Sequence, residues 1–384
     1  MSPEAGASAA PGAELPRRVL MTADTIGGVW TYALDLAPAL ARRGVEVLLA
    51  TMGAPLDRAQ RGQVRRLGLE VRESRYRLEW MPGAWSDVDR AGEWLLALAD
   101  EAEVDLVHLN GYAHASLPWR RPVVVVGHSC VWSWWRAVQG GTPPGEWRAY
   151  RERVEGGLAA ADRVIAPTRA MLRELEEIYT PLPHGMVIWN GRDPAAARPG
   201  VKEPLVLAAG RLWDEAKNLA ALDRAAPRVP WPVRVAGDAR HPDGREIAPR
   251  HVEVLGRLSP AELAGWMSRA ALFAAPARYE PFGLTAVEAA LAGCALVLGD
   301  IASLREVWGE AACFVPPDDP DALAGALTRL AGDPERRGQL ACAARLRALA
   351  LDPERMADGY TAAYGEVAAE RAATGVIPAV GGAA

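Results

Sequence analysis

Three stretches of the chain hold residue types whose spacing suits work on an anion or a sugar. In AAGRLWDEAKN, Arg211 follows a short apolar run and Lys217 stands six residues further on. A guanidinium can fork onto two oxygens while an ammonium supplies a compact, movable charge, so the pair suits a diphosphate; the alternative is a surface pair bridging to Asp214 or Glu215. In ARYEPFGLTAVEAALAGC, Glu280 and Glu288 lie eight apart, the first in a loop and the second in the helix after it. Phe282-Gly283-Leu284-Thr285 would offer backbone amides to an anion at the start of that helix. A carboxylate one turn inside, Glu288, is placed to accept ribose hydroxyls, and Glu280 at the loop tip can lie near a reacting sugar. Otherwise Glu280 pairs with Arg278 and Glu288 is an exposed helix charge, although an idle carboxylate among the small apolar residues of EAALAG would be costly to bury.

The first half is sparser. VVVVGHSCVWSWW places His128 just beyond the end of an apolar strand, where open α/β sheets keep their chemistry and where an imidazole can donate to a hydroxyl or phosphate. A packed or solvent-facing histidine is the other reading. Trp132, Trp134 and Trp135 follow at once, and indoles can stack on sugar rings while offering an N–H, so this cluster is a candidate ligand-facing surface on the acceptor side. In TADTIGGVW, Gly27-Gly28 sits at a strand-to-helix junction and would let the backbone approach an anion. The turn is not G-x-G-x-x-G and no acidic residue closes a dinucleotide fingerprint, which disfavours a dehydrogenase.

Other chemistries lack their residues. Asp87-Val88-Asp89 matches the D-x-D of metal-dependent sugar transferases, but SDVDRAGEW reads as the acid-rich start of a helix, and Asp318-Asp319 reads as a capped turn. There is no H-x-x-x-H, G-x-S-x-G or P-loop pattern. The net charge of −5 argues against a bulk electrostatic nucleic-acid binder. Cys130, Cys294, Cys313 and Cys342 have no framework spacing and suit reduced thiols in a cytoplasmic protein. Only Lys202 and Lys217 are lysines among 43 basic residues, so a lysine that survives such a bias toward arginine stands where arginine fails; Lys202 falls in a connecting segment and is given no role.

The elements that must hold these residues follow from the apolar pattern. RRVLMTADTIGGVWTYALDLAPALARRGVEVLLATMG reads as strand, glycine turn, amphipathic helix ending at Gly44, and strand. Apolar strands then alternate with helices to about residue 179, which indicates a parallel sheet covered on both faces. Five prolines and three glycines crowd residues 180–204, and a second strand-helix series begins at PLVLAAGRL with a helix near 216–226 that would start at Lys217. The chain therefore divides into a tail over 1–16, an N-terminal Rossmann-like domain over 17–190, a linker over 191–203 and a C-terminal Rossmann-like domain over 204–352. Further helices over 353–372, expected to cross back to the first domain, and a tail over 373–384 complete it. The fold class is α/β, two doubly wound parallel sheets facing a cleft. The arginine-rich stretch 57–70 reads as a solvated helix face, with contact to anionic lipid as the other option. No apolar run is long enough to span a bilayer.

Taken together, these residues resemble the GT-B glycosyltransferases, most closely the retaining family 4 type, also called glycosyl transferases group 1. The similarity runs from Gly27-Gly28 through VHLN, GHS, VIAPTRAM, VIWNGRD, AGRL…KN and VAGD to the E-x7-E of EPFGLTAVE. It implies a hexosyltransferase that moves a sugar from a nucleotide diphosphate donor, with UDP, GDP and ADP all open, to a small-molecule, glycan or lipid-linked acceptor, with retention and with no metal or other cofactor. By residue, it implies that Arg211 and Lys217 hold the diphosphate, Glu288 the ribose and Glu280 the donor sugar. Phe282, Gly283 and Leu284 would line the sugar and phosphate site, Gly27 and Gly28 would approach the diphosphate or acceptor, and His128 would assist at the reacting sugar. Two departures bear on sugar recognition: Gly293-Cys294-Ala295 replaces the common Gly-x-Pro, and Ala302-Ser303 replaces a common glycine pair. A nucleotide-sugar epimerase on the same fold and a non-catalytic nucleotide-sugar-binding protein are the alternatives.

Overall fold

The computed structural model describes residues 15–374 apart from 26, 241–243 and 245, so the expected tails lie outside the described residues over 1–14 and 375–384. It divides into two compact units, the first holding the chain up to 133, 143–191 and the segment from 353, the second holding 134–142 and 192–352.

The first unit is built on β1 (Arg18–Asp24), β2 (Glu46–Met52), β3 (Glu70–Glu73), β4 (Leu106–Leu109), β5 (Val123–Val126), β6 (Arg163–Ala166) and β7 (Gly185–Val187). All are parallel, in the order β3-β2-β1-β4-β5-β6-β7. The central strands are apolar and buried along their length, Val19 to Ala23 and Val123 to Val126 included, because helices cover both faces of the sheet. The order reverses between β1 and β4, so the loops leaving these two strands splay apart and open a crevice at their C-terminal ends.

The second unit repeats the plan with β8 (Glu203–Ala209), β9 (Val233–Ala236), β10 (Glu253–Gly256), β11 (Ala270–Ala275), β12 (Ala295–Gly299) and β13 (Cys313–Val315), parallel and ordered β10-β9-β8-β11-β12-β13. Here the reversal lies between β8 and β11, which brings together the loops carrying Arg211 to Lys217 and Pro276 to Gly283. The helix Pro353–Thr374 packs on the first unit. Its Glu354 and Asp358 pair with Arg43, while Tyr360 and Tyr364 are buried beside Tyr32 of the helix Gly28–Ala41.

The arginine-rich stretch forms the helix Arg58–Leu67, capped by Asp57 and Gln60, and none of its residues is buried. Arg61 pairs with Glu73, and Arg58, Arg65 and Arg66 are exposed. Among the described residues no helix is long and apolar enough to cross a membrane.

Candidate active site

In the second unit the two loops at the reversal point bring Lys217 to Glu280, with Nζ donating to Oε2 at 2.5 Å across 63 residues of sequence. Each side chain is about one-quarter exposed, 26% and 24%, so the pair is reachable by a ligand yet partly sheltered from water. An ammonium has three donors, which leaves Lys217 able to hold Glu280 and an incoming anion together. The same pocket is lined by Gly210, Lys217, Glu280, Gly283 and Thr285.

The helix expected to begin at Lys217 is broken. Lys217 closes a 3-10 turn over Glu215–Lys217, and the α-helix runs only from Leu219 to Ala225. Asn218 between them is in the left-handed conformation with φ 57°, and its Nδ2 donates to the carbonyls of Pro276 and Pro317 at 2.9 and 2.6 Å. The first bond bridges the two reversal-point loops and the second reaches the loop after β13; together they outweigh continued helix and hold Lys217 in a turn that faces Glu280.

Arg211 is 43% exposed and pairs with Asp214 at 3.1 Å, so it stands beside the pocket on a local ion pair, the surface alternative raised by its spacing. Asp214 is buried and fully engaged: it also caps the 3-10 turn through Ala216 N–H and accepts from Trp134 Nε1 at 3.0 Å. The pairing of Glu280 with Arg278 does not form, because Arg278 is bound by Asp318 at 2.7 Å.

Glu288 lies one turn inside the helix Leu284–Leu291 and is 18% exposed. Arg192 Nε donates to its Oε1 at 2.7 Å, which meets the cost of burying the carboxylate and orients it. The helix is entered through Gly283 at φ +91°, a conformation that a side chain would strain, and Leu284 is its first residue. Phe282 has its side chain buried, so this residue presents backbone rather than ring to a ligand. Ser303 Oγ donates to the carbonyl of Glu280 at 2.6 Å and fixes the loop from below; it occupies one of the two positions where the family commonly carries glycine.

In the first unit Gly27, with φ +96°, turns the chain into the helix Gly28–Ala41. His128 follows β5 and donates from Nε2 to Asn110 Oδ1 at 2.8 Å, with its ring edge against Tyr32 at 4.5 Å between centroids. Burial pushes its pKa down to about 3, so it is a neutral imidazole at physiological pH. The tryptophans split in role. Trp132 packs against the core of the first unit under the guanidinium of Arg151, at 4.7 Å, and Trp134 spends its N–H on Asp214. Trp135 stands edge-on to Trp134, partly exposed. Trp30, after the glycine turn, is buried and bonded to Gln63.

Both aspartates of the D-x-D pattern are engaged in ion pairs. Asp87 pairs with Arg90 and Asp89 with Arg153, and Asp319 caps the helix Pro320–Gly332. Among the described residues no cluster of His, Cys, Asp or Glu could hold a metal ion. Sequence reading gave no role to Arg192 and Asn218 in the second unit or to His108, Asn110 and Tyr364 in the first, and it met Asp214 and Ser303 without the bonds they make here. VIWNGRD, VHLN and the KN of AGRL…KN contain four of the five, but nothing local tells which side chain each meets.

Lys202 also has a role. Its Nζ donates to the carbonyls of Met267 and Ala292 at 3.1 and 2.6 Å, at the ends of two helices, beside Cys294 Sγ at 3.8 Å. A compact ammonium fits where a planar fork would not, and burial pulls its pKa down.

Residues 26–196 match Glycosyltransferase Family 4, and residues 203–333 match Glycosyl transferases group 1. The D-inositol 3-phosphate glycosyltransferase of Xylanimonas cellulosilytica is 29% identical over 87% of this chain and 93% of its own. Among solved structures, sucrose-phosphate synthase from Thermosynechococcus elongatus superposes with TM-score 0.75 at 21% identity, covering 92% of this chain and all of that one. Anabaena HepE in complex with UDP and glucose superposes with TM-score 0.68 at 18% identity, over 93% of this chain and all of that one.

Proposed function

From the premise that the chain belongs to the GT-B glycosyltransferases of the family 4, group 1 type, we propose that it transfers a hexosyl unit from a nucleoside diphosphate sugar to an acceptor hydroxyl with retention and without a catalytic metal. The observation that carries this reading is the Lys217–Glu280 pair at the β8/β11 reversal, facing the start of the helix Leu284–Leu291.

A diphosphate seated there meets Lys217, Arg211 and the amides after Gly283. When the bond from the anomeric carbon to the diphosphate oxygen breaks, its electron pair stays on that oxygen, and fixed cations act on the growing charge more strongly than on the ground state. The acceptor oxygen forms the new bond to the anomeric carbon and its proton passes to the departing phosphate oxygen. Glu280 accepts from hydroxyls of the donor sugar, and Glu288, held by Arg192, accepts from the ribose. Gly27-Gly28 gives backbone approach to the diphosphate or acceptor, and His128 serves the reacting sugar. UDP and glucose in the HepE complex support a uridine donor, and the named inositol phosphate activity of the Xylanimonas relative supports a small phosphorylated polyol as acceptor. The four free thiols fit a reducing compartment.

The test is a thermal-shift screen of UDP, GDP, ADP and their hexose conjugates, followed by transfer assays in chelator against inositol phosphates and anomeric analysis of the product. Stabilisation by one nucleotide sugar and chelator-resistant transfer with retained configuration are expected. Donor isomerised without acceptor would point to an epimerase, and binding without turnover across the acceptor panel to a sensor; either overturns the proposal.

A further inference from the structure

Asn110, the first residue beyond β4, is pinned at both ends. Its backbone N–H donates to Thr22 Oγ1 at 2.9 Å and its Nδ2 donates to the Thr22 carbonyl at 2.6 Å. That second bond decides which way the amide faces, because only the NH2 end can donate to a carbonyl. The Oδ1 is therefore turned toward two imidazoles, His128 Nε2 at 2.8 Å and His108 Nε2 at 3.2 Å. An amide oxygen only accepts, so His128 Nε2 carries a proton, and so does His108 Nε2, which shares it between Asn110 Oδ1 and the Tyr32 hydroxyl, each at 3.2 Å. His108 Nδ1 is then bare, and the Tyr364 hydroxyl, 2.6 Å away, donates to it. The chain of donors runs from Tyr364 on the helix Pro353–Thr374 through His108 to Asn110, with His128 donating into the same oxygen from the other side.

This leaves His128 Nδ1 with a bare lone pair and no partner among the described residues. We propose that Asn110 is a positioning residue for sugar transfer: it locks His128 in the Nε2–H tautomer, so that the ring presents Nδ1 as an acceptor to a hydroxyl of the donor sugar or acceptor. The proposal rests on the placement of His128 at the reacting sugar made above. It replaces the donor role expected from the sequence, since a bare lone pair repels a phosphate oxygen and attracts an O–H. The surroundings keep this state neutral. The titratable groups around the two imidazoles are Tyr32, Tyr360 and Tyr364, each pushed by burial to stay protonated, and the imidazoles themselves are held by burial near a pKa of about 3.

Two measurements test it. Nitrogen NMR of histidine-labelled protein, with the His128→Gln spectrum for assignment, reads the tautomer with no substrate present. The expected result is a neutral ring protonated at Nε2 and bare at Nδ1; a ring protonated at Nδ1, or charged at pH 7, overturns the proposal whether or not the functional reading stands. In Asn110→Asp the carboxylate between the rings favours imidazolium, which converts Nδ1 into a donor. Turnover of UDP-glucose should drop about 10-fold at neutral pH, the worth of one hydrogen bond at the reacting group, and recover as pH rises through the new ionisation. A pH profile unchanged from wild type overturns it. Tyr364→Phe, which removes one O–H without altering shape, should release the His108 resonance from its single tautomer; an unmoved His108 resonance contradicts the donor chain. If the wild type turns over no nucleotide sugar at all, the functional reading fails while the NMR result still decides the tautomer.

Discussion

Beside the reversal point of the first sheet, Tyr364, His108, Asn110 and His128 bond to one another in a row with no ionised member, desolvation holds both imidazoles uncharged, and the His128 Nδ1 lone pair is left open. At the reversal point of the second sheet the polar groups are charged and met in pairs, Lys217 with Glu280, Arg211 with Asp214 and, one helix turn in, Arg192 with Glu288. The same topology thus carries two electrostatic characters. On the proposed reading, the neutral row serves to orient hydroxyls without competing for an anion. Paired charges hold one another in place and can share or exchange partners when a diphosphate arrives, at the cost of ordering long side chains.

Breaking the charged side should have the largest effect. Lys217→Ala is expected to lower kcat with a nucleotide sugar by about 10²–10³-fold, the usual loss when one group stabilising a growing charge is removed, with circular dichroism unchanged. Lys217→Arg should recover only a small part, because the planar fork cannot share Glu280 and a phosphate in the same space. Wild-type-like turnover in either variant would move the reaction centre away from this pair. Next in size, Glu288→Gln should weaken nucleoside diphosphate binding by about 10-fold in calorimetry, the worth of a hydrogen bond to a charged acceptor, and unaltered affinity would remove Glu288 from the ribose site.

Salt separates the two sites more gently. Raising ionic strength from about 0.05 to 0.5 M should weaken nucleotide binding several-fold by screening the second unit's cations, while the tautomer signal of His128 stays where it is. Equal insensitivity of both would deny the contrast. The smallest effect is on stability against pH. Desolvation lowers the folded pKa of buried His108 and half-buried His128 to about 3, below the ordinary 6.5, so between these limits the unfolded chain binds more protons. Stability from this source is therefore full above about pH 6.5 and is lost as pH falls toward the folded value. Chemical unfolding from pH 7 to 4 should show that loss, and His108→Phe should reduce it; an unchanged pH slope in that variant would show that His108 is not the group titrating.

The candidate site was legible in proportion to how local its partners are. Gly283, Leu284 and Glu288 follow from a glycine, a helix start and a carboxylate one turn in, all within a single segment. Lys217 was singled out by rarity, yet the same argument set Lys202 aside, and Lys202 proves to hold two helix-end carbonyls that lie 65 and 90 residues away. The tryptophan cluster divides in a way its spacing does not show: Trp134 gives its N–H to Asp214, whereas Trp132 packs on the core with its Nε1 buried, and indole chemistry alone does not distinguish such environments.

What the sequence by itself determined is the alternation of buried strands and amphipathic helices, hence two parallel sheets, and with them the strand ends where Gly27, His128, Arg211, Lys217 and Glu280 must fall. These rest on short-range periodicity and on the rule that chemistry gathers beyond the carboxyl ends of parallel strands. Only the tertiary structure decided who meets whom: Glu280 for Lys217 rather than Arg278, Arg192 for Glu288 across 96 residues, and Tyr364 for His108 across 256. A hydrogen bond or ion pair is made over a few ångströms, and which groups come within that distance is set by strand order and loop path, not by spacing along the chain.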